Sequence, residues 1–258
     1  MSLRPEDPAV PDDVTRDHYD RLAATYDENW AYDPDFVDWM TGCIVRRLQI
    51  TDADVVADIG CGTGLFARGL AQHAAAVVCV EPSAAMLAQV PASDRLIPVR
   101  ASAEDVAAGR VVLPHDGYDA VLLKEMLHHV ADRPAVIGGL TPLLRPGGRM
   151  LVAMLPTRIS YPLFAAALKL FTDRQLDPAD VADEMRSAGL EAELSNDSFP
   201  LRFPTERYLG MVRDRYMSLL SYFDDAQLEA GVAEIRRANP GERVEFTDTF
   251  TFVLGTAA

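Results

Sequence analysis

The chain has almost no lysine. Only Lys124 and Lys169 occur among 258 residues, and arginine supplies the other cations. Lys+Arg number 24 against 39 Asp+Glu, a formal charge of −15. So acidic a surface repels phosphate backbones unless a basic stripe offsets it, and the sequence has no such stripe, so no nucleic-acid partner is expected. Cysteine is also scarce. Cys43, Cys61 and Cys79 are odd in number and lack metal-ligand spacing, so reduced thiols of a cytoplasmic protein are expected, and no metal centre. Long apolar runs are missing: the greasiest stretch, near Tyr161–Phe171, is too short for a bilayer and carries Lys169. Met1 to Asp13 is rich in proline and acid, unlike a signal peptide. The expectation is a soluble protein that enters no membrane. With 49% hydrophobic residues, the length suits one large α/β core.

Pro5, Pro8 and Pro11 interrupt any regular structure at the start, so residues 1–16 are expected as a flexible tail and 17–258 as one domain. Within it, residues 17–50 hold two helical patterns, one around Tyr19, Leu22, Ala23 and Tyr26 and one over Asp35–Leu48. Short strands and helices then alternate. Strands are predicted at Val55–Ile59, Ala76–Val80, Leu96–Arg100, Tyr118–Leu123 and Arg149–Leu155. Helices are predicted at Leu65–His73, Ser83–Gln89 and Arg133–Leu144. The turn Arg145-Pro146-Gly147-Gly148 announces the fifth strand. Further on come a helix over Ala179–Ala188 capped by Gly189, a strand-rich Glu191–Phe203, helices over Thr205–Tyr222 and Asp225–Ala238, and an alternating, antiparallel last strand over Arg243–Leu254. This order argues for a doubly wound, mostly parallel sheet, with residues 204–240 a helical insertion before the last strand.

The first strand ends in Asp58-Ile59-Gly60-Cys61-Gly62-Thr63-Gly64. Glycines there let the backbone turn sharply and approach a ligand with no Cβ in the way. Ligands of open parallel sheets lie at the carboxyl ends of the strands, where the strand order reverses. Glu81 closes the second strand about 20 residues on, the position from which a carboxylate holds a ribose. A nicotinamide site would want a third glycine at position 65, and Leu65 is there instead.

At these residues the chain resembles the class I S-adenosylmethionine (SAM)-dependent methyltransferases, from about Tyr19 to Leu155. Asp-Ile-Gly-Cys-Gly-Thr-Gly is similar to that family's first motif. Val78-Cys79-Val80-Glu81-Pro82-Ser83 with Met86-Leu87 is similar to its ribose-binding strand, and Ala101-Ser102-Ala103-Glu104 to its adenine-edge loop. Lys124-Glu125-Met126-Leu127-His128-His129-Val130 is similar to the active-site turn after the fourth strand. The branch resembled is the small-molecule enzymes of ubiquinone and menaquinone biosynthesis, which also begin with a helix like Tyr19–Asp27. The resemblance implies a seven-stranded sheet with an antiparallel last strand and helical lid additions, residues 17–50 among them.

The resemblance also implies SAM as cofactor, held by Tyr19, Tyr26, Asp58, Gly60, Cys61, Gly62, Glu81, Pro82, Met86, Ser102, Ala103, Glu104 and Lys124. Asp58 and the glycines would meet the methionine amino group, and Glu81 both ribose hydroxyls. Met86 would lie on the adenine face. Ser102 stands where the family often has Asp, and its hydroxyl would accept more weakly from the adenine amino group. Lys124 would offer its carbonyl, its ammonium pointing away from the sulfonium or pairing with Glu125. His128 and His129 are the catalytic candidates. Adjacent residues are expected to point apart, so one of them, His128, would accept a proton from the substrate or orient it. Trp30, His128, Arg213 and Arg215 are the candidate substrate contacts, the arginines alternatively forming surface pairs with Glu206, Asp214 or Asp224. The partner would be a small-molecule methyl acceptor and the assembly a monomer or homodimer. A second reading is a SAM-binding protein that catalyses a non-methyl reaction or uses SAM structurally.

Overall fold

The computed structural model describes Asp27 and residues 33–258. The expected tail (1–16), Tyr19, Tyr26 and Trp30 lie outside the described residues. The first described helix, α1 (Pro34–Leu48), starts where the Asp33 carboxylate accepts the Asp35 N–H at 3.0 Å and proline occupies the first turn. It ends on Gln49, held in the left-handed region at φ 52°. Its apolar stripe, Phe36, Met40, Cys43, Ile44 and Leu48, is buried.

Seven strands form one sheet: β1 (Val55–Ile59), β2 (Ala76–Val80), β3 (Leu96–Val99), β4 (Tyr118–Lys124), β5 (Leu144–Met154), β6 (Glu191–Pro204) and β7 (Arg243–Thr256). Their order is β3-β2-β1-β4-β5-β7-β6. The first five run parallel, and β7 runs antiparallel to both β5 and β6. Every residue of β1 is buried, as a central parallel strand covered on both faces must be. The order reverses between β1 and β4, which opens a crevice at their carboxyl ends.

The helices sort by sheet face. One face, with Val56, Cys79, Ala120, Leu122, Ala153, Phe250 and Phe252, packs against α1, α2 (Ala67–Leu70), α6 (Ala165–Arg174), α8 (Thr205–Arg213) and α9 (Asp225–Ala238). The other, with Ala57, Ile59, Val78, Val80, Val121, Leu123 and Val152, packs against α4 (Ala103–Ala107), α5 (Arg133–Leu140) and α7 (Pro178–Ser187). A last short helix, α3 (Ala84–Leu87), follows β2. Each fully buried Leu, Ile or Phe contributes about 1.5–3 kcal/mol, so both faces hold the sheet. Among the described residues no helix is long and apolar enough to cross a membrane.

Several elements differ from the sequence expectation. The helices predicted at Leu65–His73 and Ser83–Gln89 shrink to the single turns α2 and α3. Helix α6 was not expected; Phe164, Ala167 and Phe171 are buried on one side of the greasy stretch, a half-exposed helix face. The helix expected over Thr205–Tyr222 breaks after Arg213: Arg215 takes φ 56°, and a 3₁₀ turn at Ser218–Tyr222 follows. Strand β5 starts five residues before Arg149, because Leu144 already pairs with Tyr118. Ala120 next pairs with Arg149, so Arg145-Pro146-Gly147-Gly148 bulges out of the ladder.

Candidate active site

The crevice at the carboxyl ends of β1, β2 and β4 is built from the glycine loop outward. Gly60 and Gly62 have φ 75° and 58°, a region that a side chain disfavours. A Cβ on Gly60 would lie 2.8 Å from the Met126 Cβ, so the β4 turn closes directly over the loop. The amides of Gly60 and Cys61 donate to the Val80 carbonyl at 2.8 and 3.0 Å, tying the loop to the end of β2.

Glu81 is 8% exposed, and its carboxylate spans the loop and the next turn. Its Oε2 accepts the Gly62 N–H at 3.1 Å and its Oε1 the Ser83 N–H at 2.9 Å. Glu81, rather than Asp58, therefore braces the glycine loop. Asp58 is 3% exposed, and burial pushes its carboxyl up to about 7, against the pull of Lys124 and with the help of Glu81. Cys61 donates to the Gly62 carbonyl. Its thiol is raised by its contact with Cys79 and by burial.

Asp27 was absent from the sequence candidates although it ends the Tyr19–Asp27 segment. Its carboxylate takes the hydroxyl of buried Thr63 at 2.5 Å and the Arg68 guanidinium, so it fastens the glycine loop to α2. A buried Thr inside a glycine loop was the available signal.

The β4 turn is strained. Glu125 takes φ 50°, its N–H donates to Ala153 and its Oε1 accepts the Leu155 N–H at 2.7 Å. Glu125 is thus occupied by backbone and does not pair with Lys124, one of the two arrangements expected. The Lys124 Nζ lies 4.5 Å from the Phe66 ring centroid and 5.1 Å from that of Phe250. Burial lowers its pKa, while Glu125, Asp248 and Asp58 oppose the shift.

His128 and His129 occupy a 3₁₀ turn, Leu127–His129, and their rings lie 4.0 Å apart. The expected divergence fails because a tight three-residue turn leaves the two imidazoles side by side. Solvent reaches His128, yet the crowding around the ring lowers its pKa, with Glu125 opposing. At neutral pH the ring is neutral and can accept a proton.

Ser102 caps α4: its hydroxyl accepts the Asp105 N–H at 3.1 Å, and Asp105 answers to the Ser102 N–H. Its hydroxyl thus already serves a cap, and Ala103 and Glu104 form the first helical turn rather than a loop. Met86 is 2% exposed, its Cε against Gly62, while Pro82 is exposed beside it. Arg213 forks onto Glu229 (2.7 and 3.2 Å), and Arg215 binds Asp225 at 2.7 Å and the Phe223 carbonyl. Both guanidiniums tie α8 to α9, which is the ion-pair alternative expected for them with different partners. Of the expected carboxylate partners, Glu206 binds Arg236 instead.

A doubly wound sheet with a glycine loop after β1 and an acid after β2 defines a nucleoside-binding α/β enzyme. Residues 57–152 match the family model described as "Methyltransferase domain". Ubiquinone biosynthesis O-methyltransferase of Xanthomonas axonopodis pv. citri is 32% identical over 166 residues, covering 58% of this chain and 67% of that one. A protein of Anabaena variabilis, assigned as a methyltransferase to an antibiotic biosynthesis pathway, has the same fold with TM-score 0.66. It is 18% identical and covers 84% of this chain and 96% of its own. Phosphoethanolamine N-methyltransferase 2 of Haemonchus contortus, solved with SAM, gives TM-score 0.59 at 17% identity, covering 94% of this chain and 59% of its own. The chain belongs to the class I SAM-dependent methyltransferases, and it is an enzyme of their small-molecule branch.

Proposed function

We propose that the enzyme holds SAM along the carboxyl edge of β1, β2 and β4 and methylates an oxygen of a small-molecule acceptor. The supporting observation is buried Glu81, bonded to the Gly62 amide, at the end of the strand next to the glycine loop. The residues fit such a ligand. Gly60 and Gly62 take the left-handed turn that brings the loop's backbone to the carboxyl edge of the sheet, and the Glu81 carboxylate stands at the end of the neighbouring strand with two acceptor oxygens. When bound, SAM supplies a methyl group made electrophilic by its sulfonium.

In this reading Asp58 faces the amino-acid end with Gly60, Cys61, Gly62 and the Lys124 carbonyl. The first-turn amides of Ala103 and Glu104, without intrahelical partners, meet the adenine edge beside Ser102. Pro82 and Met86 flank the base. The family resemblance assigns Tyr19 and Tyr26 to the donor as well. His128 and His129 line the acceptor's approach, His128 orienting it. Residues 17–50 and 204–240 act as lids of one domain (17–258), which exclude water and align the acceptor oxygen with the sulfur–methyl axis. The cysteines, all free, suit a reducing cytoplasm. The O-methyltransferase name of the relatives favours oxygen over nitrogen, carbon or sulfur.

Calorimetric titration with S-adenosylhomocysteine (SAH) tests this. One site is expected, competitive with SAM and indifferent to NADH. No binding, or NADH binding in its place, would overturn the proposal.

A further inference from the structure

Lys124 ends β4, just before the turn that closes over the glycine loop. Its neighbours across the sheet fix the side on which it lies. Lys124 pairs in register with Ala153, and Ala153 with Phe252, so Lys124 shares a face with Phe252, Phe250 and Asp248 of β7. The Nζ atom is 5.1 Å from the Phe250 ring centroid and 4.5 Å from that of Phe66, which follows the last glycine of the loop by two residues. The amine therefore stands beside both β7 and the loop that faces the donor in the function proposed above.

Its surroundings suit an ordinary lysine poorly. The side chain is half-buried, and the ammonium has ring faces beside it but no hydrogen bond or ion pair among the described residues. The acids that act on it are Asp58 at the end of β1, Glu125 next in the chain and Asp248 on β7. Glu125 already holds the Leu155 N–H, and Asp248 the Tyr161 hydroxyl. An ammonium carries three N–H donors that want oxygen acceptors, whereas a methylated ammonium has fewer donors and is held well by aromatic faces. Lys169, the other lysine of the chain, is exposed and binds Asp173 at 2.6 Å.

We propose that the Nζ amine of Lys124 is itself a methyl acceptor, so that the enzyme methylates its own chain beside the donor site. The inference goes beyond the small-molecule reaction and rests on the donor occupying the Gly60–Gly62 crevice. No further reagent is needed. The ammonium first gives one proton to solvent. The nitrogen lone pair then bonds the methyl carbon while the carbon–sulfur bond breaks, and the bonding pair stays on sulfur. The donor leaves as neutral SAH and the amine becomes an N-methylammonium, so the positive charge passes from sulfur to nitrogen.

Two effects favour the neutral, nucleophilic amine. Burial lowers the Lys124 pKa, against Glu125, Asp248 and Asp58. A sulfonium in the same site lowers it further, because neighbouring like charges disfavour each other. After transfer one positive charge remains, and it meets the rings of Phe66 and Phe250 with one N–H fewer to satisfy.

The test uses enzyme made in a cell-free extract freed of SAM, so that Lys124 starts unmodified. It is incubated with SAM carrying a deuterated methyl group and no added acceptor, and its peptides are mapped by tandem mass spectrometry. A labelled methyl is expected on Lys124, none on Lys169, and none anywhere under excess SAH. The labelled fraction at a given time should not change on dilution, since donor and amine belong to one molecule. Lys124→Arg should take up no label, and Lys169→Arg should label as the wild type does. A second readout needs no turnover: after reductive methylation with isotope-labelled formaldehyde, the Lys124 methyl resonance should titrate at lower pH than that of Lys169. Unlabelled Lys124 in enzyme that binds SAH, labelling that slows on dilution, or a Lys124 resonance titrating with or above that of Lys169 would each overturn the inference. The SAH titration separates the two claims: without SAH binding the donor reading falls too, and with it only the self-methylation falls.

Discussion

Removing the Glu81 carboxylate should cost donor affinity and stability by separable amounts. In Glu81→Ala the Ser83 N–H loses its acceptor in a buried place, while the half-buried Gly62 N–H can turn to water. One charged hydrogen bond lost without replacement costs about 1.5–3 kcal/mol. For a domain of this size that lowers Tm by about 4–10 °C. If Glu81 also grips the ribose diol, SAH affinity falls by a further about 1.5–3 kcal/mol, roughly ten- to a hundred-fold. A loop brace alone would also weaken binding, so the deciding assay is a cycle with the 2′-deoxy analogue of SAH. The wild type should lose about tenfold on that analogue, and Glu81→Ala should lose almost nothing more, because its partner is already absent. Equal losses on the analogue in both proteins would refute the ribose assignment and leave Glu81 a structural brace.

Gly60→Ala puts a side chain at φ 75° against the Met126 Cβ; the left-handed cost alone is about 1–2 kcal/mol, and thermal melts should show it. Adding Met126→Ala should not restore Tm, since the blocking Cβ remains. Asp27→Ala orphans the buried Thr63 hydroxyl, so SAH affinity should fall several-fold by calorimetry; Thr63→Ala should do the same and the double variant no worse. Asp58 and Asp248 both have folded pKa values near 7, above the usual carboxylate value near 4, so the folded state holds their protons more tightly. Their stabilising contribution is complete below about pH 4 and is lost as pH rises through about 7. Urea melts of Asp248→Asn should therefore gain on the wild type between pH 5 and about pH 8, and a constant difference would contradict the burial of a titrating acid.

The sheet was legible because its strands carry signals that tertiary contacts only reinforce. Val55–Ile59 and Ala76–Val80 are β-branched runs bounded by turns, and the structure ends them at the same residues. Glycine spacing and the acid that follows it marked the crevice for the same reason: both are needs of the backbone. What stayed hidden depends on partners distant in sequence. Nothing near Glu125 announces a left-handed residue, because the Leu155 N–H that its carboxylate caps lies 30 residues away. Ion pairs were expected for Arg213 and Arg215, but with acids nearby in sequence; the partners are Glu229 and Asp225, which α9 brings from further along the chain. His128 and His129 were separated by assuming a helix or strand period, and a 3₁₀ turn removed that premise.

Asp248 was hidden for the same topological reason, and its place resolves a difficulty with Lys124. A cation beside a sulfonium site is repulsive in isolation. Asp58 on one side and Asp248 on the other both feel the Lys124 charge and oppose the lowering of its pKa. An antiparallel strand is needed for this arrangement, because a parallel β7 would carry its first residues to the opposite edge of the sheet. The reversed last strand thus accounts for an acid on the face of Lys124 three strands from the glycine loop, close enough for its charge to act on the ammonium.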